Sequence, residues 1–143
     1  MIQRITQRTG TALLGTLLLA AQGCGVSADK AMAQAAVASF HNQLDEAQYA
    51  AMWEDTDEIF RNASSRENYE KLTSAVHRKL GLVVRTATVN WSLNYKNFQT
   101  WVVLQQKTQF EHGAGVETFT YIVRGNSVKL VAWNINSNDL ITL

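Results

Sequence analysis

The spacing of apolar residues changes once along this chain, at Gly81, and that change dictates the class of fold. Before it, Tyr69, Leu72, Val76 and Leu80 fall at i, i+3, i+7 and i+11, the spacing that lines one face of an α-helix. After it, Val83, Ala87, Val89, Trp91, Leu93 and Tyr95 alternate with Thr86, Thr88, Asn90, Ser92 and Asn94, the repeat of a strand with one buried face. Helices therefore come first and strands second, which makes the chain α+β.

The same reading extends in both directions. Residues 29–44 are rich in Ala, with Val37, Phe40 and Leu44 at helical spacing and Ala33 and Ala36 keeping the stripe slim. Beyond Asp45 and Glu46, Tyr49, Met52 and Trp53 mark a second, short helical segment, and Ile59 and Phe60 offer a further apolar anchor. Ser64 followed by Glu67 fits a capping box, which opens a third helix that Gly81 stops. Downstream, residues 101–110, 116–123 and 128–135 read as strands, separated by a glycine-bearing turn at 112–115 and a hairpin turn at Gly125 and Asn126. Strands joined by such short turns pair antiparallel. The expected architecture is three N-terminal helices packed on a curved four-stranded antiparallel meander.

The N-terminus carries a second message. Residues 1–10 hold Arg4 and Arg8 and no acid, residues 11–21 are an apolar run, and the small residues Gly23, Cys24 and Gly25 follow. This is the layout of a secretory signal. The run is far shorter than the roughly 20 residues needed to cross a bilayer as a helix. Ala21, Gln22, Gly23 and Cys24 resemble the lipobox of bacterial lipoproteins, and Cys24 is the only cysteine. That resemblance implies removal of residues 1–23, a diacylglycerol on the Cys24 thiol, and a domain facing the periplasm from a membrane of the bacterial cell envelope. Gly25 rather than Asp at the second mature position points to the outer membrane over the inner. The alternative is an ordinary secretory cut after Ala31, Met32 and Ala33, which also meets the small-x-small rule. The expected division is a signal at 1–23, a tether at 24–30 and a single domain at 31–143. A domain of that size buries roughly two thirds of its unfolded surface. One cysteine excludes an internal disulfide and a cysteine-rich metal or redox site.

Charge narrows the partners. The formal net charge is +1, and setting aside Arg4 and Arg8 leaves eleven basic against twelve acidic side chains. A balanced surface has no electrostatic hold on nucleic acid. There is no proline, no linker-like stretch and no internal repeat.

The order of elements, with particular residues, resembles the nuclear transport factor two-like (cystatin-like) superfamily, and within it domain-of-unknown-function family 4019. The residues that carry the likeness are Phe40, Leu44, Asp45, Tyr49 and Trp53, then Arg78, Leu80, Gly81 and Arg85, Glu117 to Phe119, and Val131, Ala132, Trp133 and Ile135. They span about residues 31 to 137. The last strand opens with Val128 where Trp is common and has its aromatic at Trp133, which leaves its register open. The resemblance implies a cone-shaped fold with a pocket between helices and sheet, and no established reaction.

Five residues are candidates for lining that pocket: Arg85, Asp45, Tyr49, Trp91 and Tyr121. Arg85 falls between Val83 and Ala87 on the apolar face of the first strand, where a guanidinium must be paired, either with an anionic ligand or with Asp45 or Glu117. Asp45 with Tyr49, Tyr95 or Tyr121 would imitate the acid and phenol pairs of ketosteroid-isomerase-like enzymes, although Asp at a helix end also serves simply to bond backbone N–H groups. His41, His77 and His112 are isolated and lack metal-ligand spacing, so they are expected to be solvated and no metal is expected. No phosphate loop or nucleophile elbow is present, and no cofactor is implied. Trp91 is expected in the core, and Trp101 either in the core or as an exposed anchor for a partner. The leading expectation is a non-enzymatic envelope module that binds an envelope protein or a small ligand. The alternatives are a proton-transfer enzyme using Asp45 and a pocket tyrosine, and a structural homodimer module.

Overall fold

Gly81 ends a helix because only a residue without Cβ fits there. Its φ is +77°, and a Cβ would come within 2.6 Å of Glu111 and 2.8 Å of His112. The space is taken by a distant turn that folds back on the junction: Glu111 N donates to Leu82 O (3.0 Å) and His112 N to Leu80 O (2.9 Å). The helical and sheet parts of the chain are thus clamped at the point where the period changes.

The computed structural model describes residues 24–141. Four helices come first: α1 (Cys24–Asp45), α2 (Tyr49–Glu54), α3 (Glu58–Ala63) and α4 (Arg66–Leu80). Four strands follow, β1 (Val83–Lys96), β2 (Gln99–Phe110), β3 (Gly113–Arg124) and β4 (Ser127–Asn136), and a 3₁₀ turn at Asn138–Leu140. The strands form one sheet in the order β1-β2-β3-β4, each neighbouring pair antiparallel. The signal expected at residues 1–23 lies outside the described residues.

The helical part differs from expectation in four respects. Residues 24–30, expected as a tether, belong to α1. The segment after α1 is two helices, because residues 55–57 leave the helical path to pair with β4: Asp57 N donates to Leu130 O (2.7 Å) and Leu130 N to Asp55 O (3.0 Å). Asp57 then caps α3 by accepting from Ile59 N, so there are four helices rather than three. The cap of α4 is Ser65, which accepts from Asn68 N, while Ser64 ends α3. Finally, Leu72 is exposed, and the buried stripe of α4 runs through Tyr69, Thr73, Val76 and Leu80. Thr73 is tolerated inside because its hydroxyl donates to Tyr69 O (2.9 Å).

The turn expected at 112–115 is tighter, and β3 begins at Gly113. A Cβ on Gly113 would sit 2.6 Å from the Asp139 carboxylate, so this glycine serves close approach: Asp139 Oδ2 accepts from Ala114 N (2.9 Å). The core lies between α1 and the sheet. It gathers Ala33, Val37, Phe40 and Leu44 of α1, Tyr69, Val76 and Leu80 of α4, and Leu104, Phe110, Phe119 and Leu130 of the strands. Removing one such side chain, as in Leu44→Ala, costs about 2–5 kcal/mol.

Three register shifts bend the sheet: between Val83 and Arg85, between Thr88 and Asn90, and between Thr120 and Tyr121. Each extra residue reverses the inward and outward alternation. On β4 this lets Val128 and Leu130 on one side of the bulge, and Trp133 and Ile135 on the other, all pack on the core, which answers the open register of that strand.

Candidate functional site

The helix-facing row of β3 is Glu117, Phe119, Tyr121 and Val123, all buried. Two of these are polar, and they are treated very differently. Glu117 Oε2 lies 2.7 Å from His41 Nε2 and accepts from Thr108 Oγ1 (2.6 Å), while its Oε1 accepts from Trp133 Nε1 (3.1 Å). The carboxylate therefore ties α1, β2 and β4 to β3. From Thr108 the bonding continues to the Thr86 hydroxyl at 2.9 Å. His41, expected to be solvated, is 4 % exposed, and its Nδ1 has no partner among the described residues.

Tyr121 is buried as deeply, and its hydroxyl has no hydrogen-bond partner among the described residues. Burial holds its pKa well above the ordinary value of 10, with Tyr69, Glu117 and Asp55 adding to the shift. The phenol thus stays protonated and remains a donor. Tyr121 forms part of the wall of a cavity of about 160 Å³ between α1, α2, β3 and β4, with Phe40, Met52, Val128 and Leu130 as apolar lining and Ser39, Gln43 and Asp55 as polar lining. A dry cavity of about 150 Å³ is large enough for benzene. Asp55 is exposed and is held by Gln43 Nε2 (2.9 Å), with Lys129 Nζ at 3.7 Å.

Of the five pocket candidates, only Tyr121 lines this cavity. Asp45 Oδ1 accepts from Val83 N (3.0 Å), fastening the end of α1 to β1. Tyr49 OH lies 3.0 Å from His77 Nδ1, so Asp45 and Tyr49 are engaged separately rather than with each other. Trp91, expected in the core, is 40% exposed: it faces α1, its ring 4.3 Å from Lys30 Nζ, but lies on the outermost strand beyond the core cluster. Arg85 is on the opposite face of the sheet, because the shift after Val83 reverses the phase; it is exposed and lines a shallow groove with Ala87, Lys107 and Gln109. It pairs with neither Asp45 nor Glu117. Val83 and Arg85 therefore do not share a face, and the inward polar row of β1 is Thr86 and Thr88, which bond Thr108 and Gln106. Trp101 alternates with buried Val102 and is half-buried on the open face.

Sequence reasoning missed His41 and Asp55. His41 follows Phe40 and shares the buried side of α1 with Val37 and Leu44. Asp55 carries no pattern of its own, since its place depends on the pairing of residues 55–57 with β4. Among the described residues, no cluster of three His, Cys, Asp or Glu could hold a metal ion, and no helix is long and apolar enough to cross a membrane.

No curated protein matches the sequence. The solved structure of Bd1075 from Bdellovibrio bacteriovorus resembles this fold with a TM-score of 0.51 at 14% identity, covering 79% of this chain and 42% of that one. This chain thus spans less than half of that neighbour's length, and at such identity the likeness concerns the fold alone. Residues 36–132, most of the helical region and the sheet as far as β4, match the family described as Protein of unknown function (DUF4019), and the chain belongs to that family.

Proposed function

We propose that this chain is a non-enzymatic binding module of the bacterial cell envelope, anchored by lipid at Cys24, whose nuclear transport factor two-like cone takes a small neutral or cationic ligand under its helices. The observation that carries the reading is Tyr121, which lines the cavity and whose buried hydroxyl has no partner among the described residues. A buried donor without an acceptor costs about 1–3 kcal/mol, and a ligand carrying an acceptor would recover that cost. Apolar walls suit a ring or short branched body. Asp55 on the cavity wall and Glu117 nearby disfavour an anion, and both contribute to the raised Tyr121 pKa. Binding rather than catalysis is favoured because Asp45 and Tyr49, the acid and phenol that a proton-transfer mechanism would need, are engaged in structural bonds.

The anchor reading gains a mechanical side from α1, which includes Cys24. An acyl group there would be joined to the helix directly and would hold the domain close to the bilayer. Each buried methylene adds about 0.8 kcal/mol, so two or three chains anchor essentially permanently.

Thermal shift measurements with para-hydroxybenzylamine, benzylamine and para-hydroxybenzoate test the pocket. The first, with a hydroxyl acceptor for Tyr121 and an ammonium for Asp55, should raise the Tm most, benzylamine less, and the carboxylate least. If none of the three shifts the Tm, the pocket reading fails. Fractionation tests the anchor: Cys24→Ser should leave the membrane fraction, and unchanged sedimentation with membranes would refute it.

A further inference from the structure

The hairpin between β1 and β2 turns through Asn97 and Phe98, with φ of +53° and +59°. Both residues are left-handed, as a two-residue type I′ turn requires. Asn adopts that conformation readily, but a phenylalanine there is strained, in a position that favours Gly. Packing does not account for it, since Phe98 is 94% exposed. Beside it, Tyr95 is 69% exposed on the helix-facing side of the sheet, Lys96 is exposed, and Trp101 is half-buried on the opposite, open side.

Where this tip lies in the molecule follows from α1, which runs antiparallel to β1. The Asp45 carboxylate meets Val83 N (3.0 Å), Gln34 Nε2 meets the Thr88 hydroxyl (3.3 Å), and Lys30 Nζ lies 4.3 Å from the Trp91 ring centre. Continuing in the same direction, the first turn of α1, with exposed Val26, points to the end of the molecule that carries the hairpin tip. The chain before Cys24, including the apolar run at residues 11–21, therefore joins the domain at that end. A bilayer that holds either the run or an acylated Cys24 would face the same surface.

We infer that the β1–β2 hairpin tip is a second bilayer contact, with Phe98 entering the boundary between headgroups and acyl chains. Tyr95 and Trp101 are residue types that settle at that boundary. Lys96 is placed to meet lipid phosphates. The contact rests on the membrane reading of the previous section but not on the pocket. It also gives the strained, exposed aromatic a purpose that folding does not.

The test uses the full chain produced without acylation, so that the lipid anchor does not mask the tip, with vesicles of phosphatidylethanolamine and phosphatidylglycerol. Phe98→Gly should lower partitioning about tenfold or more, the effect of withdrawing one buried phenyl group, while the Tm holds or rises because Gly relieves the left-handed turn. In Phe98→Trp, emission should shift to the blue on binding and be quenched by brominated lipid above the background of the other tryptophans. Partitioning of Phe98→Gly equal to that of the parent chain would overturn the contact, as would a fall in its Tm. If the chain binds vesicles while residue 98 stays in water, the tip contact falls. If the unacylated chain does not associate with vesicles at all, the tip contact falls, while the anchor is decided separately by the fractionation of Cys24→Ser.

Discussion

Glu117 and Tyr121 stand four residues apart on one strand, face the same helices, and are both closed off from solvent, yet one is bonded from three sides and the other from none. Burial removes water from each, so each needs replacement partners. For Glu117 the fold supplies them from three separate elements, and the carboxylate has become a fastening. For Tyr121 the described residues supply no hydrogen-bond partner, and the residue lines a cavity.

The sharpest way to break this comparison is to remove the fastening. Glu117→Ala strands His41 Nε2, the Thr108 hydroxyl and Trp133 Nε1 together, and should cost about 3–5 kcal/mol, as breaking a buried polar pair does. Equilibrium unfolding in denaturant measures it. The double variant Glu117→Leu with His41→Leu should be much less destabilised than the sum of its single changes, since neither partner is then left behind. A cost under 1 kcal/mol for Glu117→Ala would mean that the bonds at Glu117 are incidental.

Asp57 is a buried acid of intermediate kind. Its Oδ1 caps α3 and its Oδ2 accepts from Arg124 Nη1 (2.6 Å), but Arg124 is partly exposed. Burial by itself would raise the Asp57 pKa; the Arg124 hydrogen bond, the Ile59 N–H and the nearby positive charges outweigh it and leave the carboxyl below its ordinary 3.8. A depressed carboxylate stabilises the fold above its unfolded pKa and loses that contribution as pH falls through the folded value. Stability should therefore drop from about pH 4 downward, and less so in Asp57→Asn. Asp57→Ala should cost about 1–2 kcal/mol, from the lost cap and the half-exposed ion pair. Thermal denaturation across pH decides both.

Much of the fold is legible because its signals are local. The stripe of Val37, Phe40 and Leu44, the glycine stop at residue 81 and the extent of the strands each need only neighbouring residues, and α1, α4 and the four strands fall where those patterns place them, although Ala87 and Val89, read as the inward phase of β1, are exposed. What is not legible depends on a partner distant in sequence. A bulge is two residues facing one on the neighbouring strand, so nothing within β1 announces that Val83 and Arg85 part company there. The break between α2 and α3 exists because Leu130 pairs with residues 55 and 57. His41 and Glu117 are each a single polar residue in an apolar row, and only their meeting across the core, from α1 to β3, gives either a role. The same holds for the cavity: Tyr121 alternates inward with Phe119 and Val123 as a core residue would, and the space beside it becomes visible only once α2 and β4 are in place.

The smallest expected effect is the most informative about the other side of the comparison. Tyr121→Phe deletes a buried hydroxyl that has no partner among the described residues, so the free protein should become more stable by about 1 kcal/mol. The same change should remove the preference for para-hydroxybenzylamine over benzylamine, because the distinguishing hydroxyl acceptor has lost its donor. Stability gained and discrimination lost in one variant is the pattern of a group retained for function at the expense of the fold. A loss of stability in Tyr121→Phe would instead mean that the hydroxyl is bonded within the folded chain, and Tyr121 would then join Glu117 as a fastening rather than stand apart from it.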